Sequence, residues 1–311
     1  MGGLPDVWVG WYECGMQTVS THSFWISADG HEGARGDASR LFPYWSFTKA
    51  VIALCALKLS ERGEIDLDAP LDGEPYTLRQ LLNHTAGLPD YCVLADYHKA
   101  VAADEAPWPR DKLLGAGLAK GLLFAPGEGW SYSNIGYMLA RERIEGASGQ
   151  SFASLVEDII CRPLGLNSIE LATTREQFRR VHWRDATRYH PGWVYHGCLI
   201  GTAEDAARLL HGLLRGDLLK APTRDEMLRR IPLGGSLDGR PWTDCGYGLG
   251  LMIGSMGDSV RAIGHSGGGP FCASAVYHFP DRVPAITVAS FSNGKDEGQA
   301  EFEATAIALA R

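Results

Sequence analysis

The sequence has no long apolar run and no block of basic residues. Its longest apolar run, Ala50–Leu57, is far shorter than the roughly 20 residues of a membrane-spanning helix. Lys and Arg are scattered along the 311 residues, and the formal net charge is −8, which is the wrong sign for attraction to a phosphate backbone. These absences exclude a membrane-spanning protein and a nucleic-acid-binding protein. We therefore expect neither a membrane nor a nucleic acid as a partner.

Regularly spaced cysteines are also missing. The seven cysteines are an odd number, they are spread along the chain, and none forms a Cys-x-x-Cys pair. Disulfide frameworks and structural zinc sites both rely on such patterns. We therefore expect free thiols in a reducing compartment, no metal ion and no cofactor.

A secretory leader, internal repeats and low-complexity tracts are absent as well. Residues Met1–Asp6 lack the basic region and the apolar core of a signal peptide. We therefore expect a cytoplasmic protein, or a periplasmic one if a leader has been removed. Hydrophobic residues make up 45% and charged residues 21% of the chain, a balance that is typical of a globular enzyme.

Strand-like segments lie at both ends of the chain, and helical periodicity lies between them. The predicted strands are Val7–Tyr12, His22–Ser27, Tyr247–Ile253, Val260–Gly264, Phe271–Phe279 and Ala285–Phe291. The predicted helices are the run after Ser46, Leu78–Asn83 behind the N-cap Thr77, Arg110–Lys120, Gly136–Gly146, Phe152–Ile160, Ala203–Leu214, Arg224–Arg230 and Gly298–Ala310. We predict an α+β fold in one domain, 1–311, with an antiparallel sheet lobe (about 1–60 and 240–311), a helical lobe (about 61–239) and a cleft between them.

Ser46-Phe47-Thr48-Lys49 precedes a strongly apolar helical run and is the most informative motif in the chain. Residues i and i+3 lie on one face of a helix, so Ser46 Oγ and Lys49 Nζ can meet in a buried pocket. A serine hydroxyl needs a neighbouring base to act as a nucleophile. Burial among apolar residues lowers the pKa of a lysine and lets it accept a proton. The motif predicts a serine acyl-transfer enzyme with a lysine base.

Two further segments supply groups that such chemistry needs. Tyr132 and Asn134 lie two residues apart in a turn-rich loop, so their side chains point to the same side if the loop is extended. A tyrosine beside a lysine can shuttle protons, and an asparagine amide can bind an acyl amide. The segment His265–Gly268 joins two late strands, and its glycines let a substrate approach the backbone. The N–H groups of Ser46 and Gly268 are candidates for an oxyanion hole.

These motifs follow one another in a fixed order, with other informative segments between them. The segments are Ser46-x-x-Lys49, residues 81–89 (LLNHTAGLP), 124–127 (FAPG), Tyr132-x-Asn134, 162–166 (RPLGL), 246–250 (GYGLG) and His265-x-Gly267. From about residue 20 to the C-terminus, this set resembles the serine β-lactamase and penicillin-binding-protein superfamily, in its class C-like branch. That branch also contains D-alanyl-D-alanine carboxypeptidases, D-aminopeptidases and β-lactamase-fold esterases.

The resemblance implies a β-lactamase/DD-peptidase-like fold with an antiparallel sheet flanked by helices and a helical lobe. It also implies a serine hydrolase that forms an acyl-enzyme on ester or amide substrates, including D-amino-acid-containing or β-lactam compounds. By resemblance, Ser46 is the nucleophile, Lys49 is its base, Tyr132 is the proton shuttle and Asn134 binds the acyl amide. The expected substrate is a small molecule or a short peptide.

His265 stands where many members of the superfamily have lysine in a Lys-Thr-Gly motif. We expect His265, Gly267 and Gly268 to border the substrate, with His265 contacting a substrate carboxylate or the Tyr132 hydroxyl. Because imidazole is only partly charged at neutral pH, this departure favours an aminopeptidase, amidase or esterase. The alternative is a D-alanyl-D-alanine carboxypeptidase or penicillin-binding protein, or a weak β-lactamase.

Other interpretations compete with this one. Residues 264–268 (GHSGG) also fit Gly-x-Ser-x-Gly, the nucleophile elbow of α/β-hydrolases. A strand-like run follows them, however, where an elbow requires a helix. Residues 292–295 (SNGK) repeat Ser-x-x-Lys in what reads as a solvated turn. A catalytically inactive binding or sensor module of the same fold is the alternative from another class, and the intact motifs disfavour it.

Several histidines lie outside the motifs. Three of them fall among aromatic residues in the segment 182–196, with spacings that match no metal-ligand motif. We expect this segment to line the cleft, with Trp193 and Tyr195 shaping an acyl pocket. His84 precedes a tight turn, and we interpret it as a hydrogen-bonded structural histidine.

Overall fold

The computed structural model describes residues 19–294 and 296–311; the predicted strand Val7–Tyr12 and residue Lys295 lie outside the described residues. The strands are β1 (Thr21–Ser27), β2 (Glu32–Arg35), β3 (Phe42–Pro43), β4 (Glu170–Ala172), β5 (Cys198–Gly201), β6 (Ile231–Gly234), β7 (Trp242–Tyr247), β8 (Met252–Met256), β9 (Val260–Gly268), β10 (Ala273–Phe279) and β11 (Ile286–Ser292). The helices are α1 (Thr48–Glu61), α2 (Leu78–Leu82), α3 (Ala95–Ala102), α4 (Arg110–Gly117), α5 (Asn134–Ser148), α6 (Phe152–Val156), α7 (Arg162–Leu164), α8 (Arg175–Phe178), α9 (Ala203–Arg215), α10 (Ala221–Met227) and α11 (Glu297–Leu309). Turns of 3₁₀ helix cover Trp45–Phe47, Tyr91–Val93, Arg184–Arg188 and Pro191–Trp193, and a π-helical turn covers Glu157–Cys161.

An eight-stranded sheet of described residues joins strands from both ends of the chain. Its order is β2-β1-β11-β10-β9-β8-β7-β6, and all of its neighbouring strands are antiparallel. β1 pairs with β11 along its full length, from Thr21 opposite Ser292 to Ser27 opposite Ile286. The predicted pairing of early and late strands in one antiparallel sheet is confirmed. A smaller sheet has the order β3-β5-β4.

Helices cover the centre of the large sheet on both faces. All seven residues of β11 are buried, which is the pattern of a strand without a solvent-facing side. Ala289 and Phe291 pack in an apolar cluster that includes residues of α9, whereas Ile286 and Val288 pack with residues of α11. Alternate side chains of one strand therefore hold a helix on each face, and the predicted α+β architecture is confirmed.

Helix α1 runs through the interior of the protein. Of its 14 residues, eleven are buried, including Lys49, and a helix that is apolar on all sides is typical of such a position. It ends before Gly63, whose φ of +74° is the left-handed conformation that often follows a helix. Helices α5, α6 and α10 pack against it. The predicted boundaries of the two lobes stay a prediction.

The region around residue 250 differs from the sequence prediction. A single strand was expected over Tyr247–Ile253, but β7 ends at Tyr247 and β8 begins at Met252. Gly250 has φ +73°, and a Cβ there would lie only 2.7 Å from the carbonyl oxygen of Lys49. The glycines between the strands therefore make a turn that presses on α1, which an alternating apolar pattern cannot reveal. No described helix has the length and apolar character needed to span a membrane.

Candidate active site

Ser46 lies in a strained turn between β3 and α1. The 3₁₀ turn Trp45–Phe47 precedes the helix, and Trp45 has φ +46°. A bulky residue in the left-handed region costs roughly 1–3 kcal/mol, and such conformations concentrate at functional sites. Ser46 is partly exposed, whereas Trp45 and Phe47 are buried. The turn thus presents one hydroxyl at the surface of an otherwise apolar segment.

The predicted contact between Ser46 and Lys49 is present. Lys49 Nζ lies 3.0 Å from Ser46 Oγ, 2.7 Å from Asn134 Oδ1 and 3.4 Å from His196 Nε2. The Lys49 side chain is completely buried. Burial lowers its pKa to about 7, although the nearby Asp90 carboxylate acts in the opposite direction. This lysine can therefore lose and regain a proton near neutral pH.

Tyr132 contacts both Ser46 and Lys49. Its hydroxyl donates a hydrogen bond of 2.8 Å to Ser46 Oγ, and its ring centroid lies 4.9 Å from Lys49 Nζ. Burial raises the pKa of Tyr132 well above its ordinary value. The phenol therefore stays protonated at neutral pH and is a proton donor in the resting site, whereas Lys49 is the group with a pKa suited to a base.

Asn134 is fixed by a partner that the sequence did not indicate. Ser133 caps α5 through a hydrogen bond from Gly136 N–H, which places Asn134 at the first turn of that helix. Asn134 Nδ2 donates to both carboxylate oxygens of Asp90, at 3.1 Å and 3.0 Å. Its Oδ1 must then face Lys49. Asp90 directly follows the quoted segment 81–89, and its position before a 3₁₀ turn gave no catalytic signal.

His265 borders the site, but its ring nitrogens already have partners. Nε2 lies 3.0 Å from the Tyr247 hydroxyl, and Nδ1 makes a short contact with the Ser266 carbonyl oxygen. Burial and the charge of Lys49 lower the pKa of His265 to about 3. The imidazole is therefore neutral and offers no positive charge to a substrate carboxylate. Its predicted substrate contact stays a prediction.

The glycines of β9 pass very close to Ser46. A Cβ at position 267 would lie 2.5 Å from the Ser46 backbone nitrogen, so only glycine fits there. Strand β8 pairs with β9 only as far as Gly264. The segment from His265 to Gly268 pairs with β10 on its other side, so on the side nearer β8 its backbone is not part of a strand pair.

Ser266, the serine of the rival elbow motif, has a structural role. It lies inside β9, and its side chain binds the Glu301 carboxylate and, at 2.6 Å, the Tyr277 hydroxyl. Ser266 is 4% exposed, and β9 leads into β10 and not into a helix. An elbow needs an exposed serine at a strand-to-helix turn, so the α/β-hydrolase alternative is wrong.

His84 and Trp193 are parts of the interior. His84 Nδ1 accepts a hydrogen bond of 3.1 Å from Ser133 N–H, and its ring packs 4.4 Å from that of Tyr132. His84 is hydrogen-bonded as predicted, and its purely structural role stays a prediction. Trp193 is 1% exposed and packs against Tyr97, so its own side chain does not face the cleft, and the role of Trp193 and Tyr195 in shaping an acyl pocket stays a prediction. No described group of three His, Cys, Asp or Glu residues could hold a metal ion.

Comparisons with known proteins identify the family of the chain. The Beta-lactamase family model matches residues 7–311. The chain is 29% identical to Penicillin-binding protein 4* of Bacillus subtilis over 84% of its length, and 26% identical to Esterase EstB of Burkholderia gladioli over 87% of its length. It spans 62% of the first protein and 82% of the second. The solved structure of a D-stereospecific amidohydrolase from Streptomyces sp. has a TM-score of 0.74 and 25% identity, over 91% of this chain and 92% of that one. Because the family model covers nearly all residues, the chain belongs to the Beta-lactamase family.

Proposed function

We propose that the protein is a serine hydrolase in which Ser46 takes the acyl group of an ester or an amide. The observation that carries this proposal is that Ser46 Oγ lies within hydrogen-bond distance of both Lys49 Nζ, at 3.0 Å, and the Tyr132 hydroxyl, at 2.8 Å. Covalent catalysis needs a nucleophile held beside a base. The family, and the relatives named as an esterase and a penicillin-binding protein, support the same class of reaction.

Acylation begins with proton transfer from Ser46 to Lys49. A pKa of about 7 leaves a large share of Lys49 with a free electron pair at neutral pH. Ser46 Oγ forms a bond to the substrate carbonyl carbon while its proton passes to Lys49 Nζ. The carbonyl oxygen becomes an oxyanion, and the N–H groups of Ser46 and Gly268 are the proposed donors that stabilise it. The close approach of β9 at Gly267 supports this arrangement.

Tyr132 then returns the proton to the leaving group. Its hydroxyl protonates the departing amine or alcohol as the C–N or C–O bond breaks, and it takes up the proton that Lys49 received. In the second step, water attacks the carbonyl of the acyl-enzyme and gives its proton to Lys49. The Ser46 oxygen leaves as the bond to the acyl carbon breaks, and it recovers a proton from the same pair. Both steps use the groups that surround Ser46.

The neutral imidazole of His265 favours substrates without a carboxylate at this position. A carboxypeptidase or penicillin-binding role needs a cation for the terminal carboxylate of the peptide, and burial lowers the pKa of His265 to about 3. We therefore favour an ester or an amide of a small molecule or short peptide, including amides of D-amino acids. The substrate contact of Asn134 stays a prediction, because its amide binds Asp90 and Lys49. A cytoplasmic location likewise stays a prediction.

Intact-mass spectrometry with peptide mapping tests this proposal. The protein is incubated with a fluorophosphonate and, in parallel, with benzylpenicillin. We expect one phosphonyl group on Ser46, because Ser46 is partly exposed and lies beside Lys49, and no stable penicilloyl adduct. A phosphonyl group on another residue, or none at all, would refute the proposal. A stable penicilloyl group on Ser46 would keep the nucleophile but change the substrate class to that of a penicillin-binding protein.

Tyr132→Phe is expected to separate amide from ester hydrolysis. Amide cleavage should fall by roughly 10²- to 10⁴-fold, because the departing amine needs a proton from Tyr132. Cleavage of a p-nitrophenyl ester should fall much less, because nitrophenolate leaves without a proton. The measurement is kcat/KM for a D-amino acid anilide and for the ester with the same acyl group. An equal loss for both substrates would contradict the proton-donor role.

Tyr137→Phe is the matched control for this experiment. Tyr137 is also a fully buried tyrosine beside Lys49, with its ring centroid 5.5 Å from Nζ. Its hydroxyl, however, donates to the Leu82 carbonyl oxygen at 2.5 Å and not to Ser46. We expect this variant to lose some stability without changing the ratio of amide to ester hydrolysis.

A further inference from the structure

His196 is a buried group beside Lys49 that the proposed reaction does not use. Its Nε2 lies 3.4 Å from Lys49 Nζ, and the residue is 2% exposed. With Ser46 Oγ at 3.0 Å and Asn134 Oδ1 at 2.7 Å, it is the third polar side-chain atom around this amine. Burying a polar group costs free energy unless a partner offsets the cost, and Lys49 Nζ is the side-chain partner of His196 Nε2.

The backbone holds His196 in place relative to Ser46. His196 lies two residues before β5, and hydrogen bonds fix β5 to the chain on both sides of the serine. Tyr44 N–H donates to the Leu199 carbonyl oxygen at 2.8 Å, and Leu199 N–H donates to Thr48 Oγ1 at 3.2 Å. The distance from His196 to Lys49 is therefore set by hydrogen bonds that bracket the catalytic turn and does not depend on a mobile loop.

The protonation states of the two groups determine which atom donates. Burial and the charge of Lys49 lower the pKa of His196 well below its ordinary value, so the imidazole is neutral. A lysine ammonium has only donors, and a neutral imidazole has one acceptor nitrogen. For His196 Nε2 to accept a hydrogen bond from Lys49, the imidazole proton must be on Nδ1.

A neutral amine has two N–H bonds and one free electron pair. Asn134 Oδ1 takes one N–H of Lys49, and its orientation is fixed because Nδ2 donates to the Asp90 carboxylate. With the imidazole proton on Nδ1, His196 Nε2 can accept the other N–H, across 3.4 Å. The free electron pair is then left to face the third neighbour, Ser46 Oγ, which is the atom whose proton Lys49 must accept.

We infer that His196 is a positioning residue that, together with Asn134, directs the free electron pair of Lys49 toward Ser46. This inference rests on the proposed function, since it concerns the same proton transfer. The acceptor nitrogen of His196 also stabilises the protonated form of Lys49. Loss of His196 should therefore lower the pKa of Lys49 and favour the neutral amine, but the electron pair of that amine would no longer be held toward Ser46 Oγ. The two effects act on the rate in opposite directions. A lower pKa leaves more Lys49 neutral, but each neutral Lys49 reacts more slowly.

Other titratable groups also influence Lys49 and must remain unchanged in the test. They are Asp90 and Cys92 at the 3₁₀ turn, Tyr132 before α5, Tyr137 on α5, His84 after α2 and His265 on β9. Arg141 on α5 further lowers the pKa of His196. Substitutions at position 196 alter none of these residues, so a change in the titration of Lys49 can be assigned to position 196.

The test measures the rate at which a fluorophosphonate modifies Ser46, as a function of pH. In this reaction the Oγ–P bond forms, fluoride leaves and the proton of Ser46 passes to Lys49, so no natural substrate is needed. For His196→Leu, we expect the rate on the alkaline plateau to fall roughly 10- to 100-fold, as expected for a displaced reacting group. The acidic limb of the profile should also move to lower pH. His196→Gln keeps an acceptor oxygen and should restore both properties in part.

His211→Leu is the matched control, and thermal unfolding of each variant confirms that it is folded. His211 is also buried, at 5% exposure, but its Nδ1 lies near Thr287 Oγ1 at 3.1 Å. This control should lower stability and leave the pH profile unchanged. If folded His196 variants have the wild-type rate on the alkaline plateau and the wild-type acidic limb, the inference is wrong. It is also wrong if the plateau rate falls while the acidic limb stays at the same pH. If wild-type protein is not modified on Ser46, the proposed function fails, and the inference fails with it.

Discussion

Ser46→Ala will leave the protein folded and reduce ester hydrolysis by at least about 10⁴-fold. The hydroxyl is the group that forms the covalent bond in the proposed reaction, and both Lys49 and Tyr132 lie within hydrogen-bond distance of it. Removing one partly exposed oxygen creates no large cavity, so the free energy of unfolding should change little. The measurements are kcat/KM for a p-nitrophenyl ester and the mass shift after fluorophosphonate treatment, which should disappear.

Ser266→Ala is the control that separates the two serines singled out by the sequence. Ser266 binds the buried Glu301 carboxylate and the Tyr277 hydroxyl, so its loss should lower the melting temperature. Modification of Ser46 and ester hydrolysis should both persist. If Ser46→Ala kept more than about a tenth of the wild-type rate while Ser266→Ala lost it, the assignment of the nucleophile would be wrong.

The parts of the site that the sequence predicted are those set by local spacing. Ser46 and Lys49 are three residues apart in a helical segment, and Tyr132 and Asn134 lie on either side of Ser133, the N-cap of α5. Periodicity and capping are local properties, so a sequence carries them directly. The same reasoning recovers the long strands and helices of the sheet and its flanks.

The parts that the sequence missed depend on contacts between distant positions. Asp90 reaches Asn134 across 44 residues, and His196 reaches Lys49 across 147. Nothing in the short-range pattern around either residue distinguishes it from a turn aspartate or a core histidine. The left-handed backbone at Trp45 and the break between β7 and β8 at Gly250 also arise from packing against another segment. The strand and helix propensities of single residues do not predict such packing.

Lys49→Met is expected to abolish activity while making the protein more stable. Methionine fills much of the same volume, but it cannot accept the proton of Ser46, so kcat/KM should fall by about 10³-fold or more. Lys49→Arg should be equally inactive, because a guanidinium does not lose its proton. The measurement is ester hydrolysis by each folded variant. Appreciable activity in the methionine variant would mean that Lys49 is not the base.

The gain in stability follows from the buried position of Lys49. Its pKa is lowered from 10.5 to about 7, so between these values the unfolded chain binds a proton that the folded protein does not. Stability therefore decreases as the pH falls from 10.5 to 7, and the loss is complete below 7. Methionine removes this cost, so urea unfolding at pH 6 should show Lys49→Met to be more stable by about 2–4 kcal/mol, and the difference should shrink toward pH 10. Lys58→Met on the same helix, where Lys58 is partly exposed and paired with Glu61 at 3.1 Å, should show no such gain. A stabilisation independent of pH would point to better packing and not to relief of a buried amine.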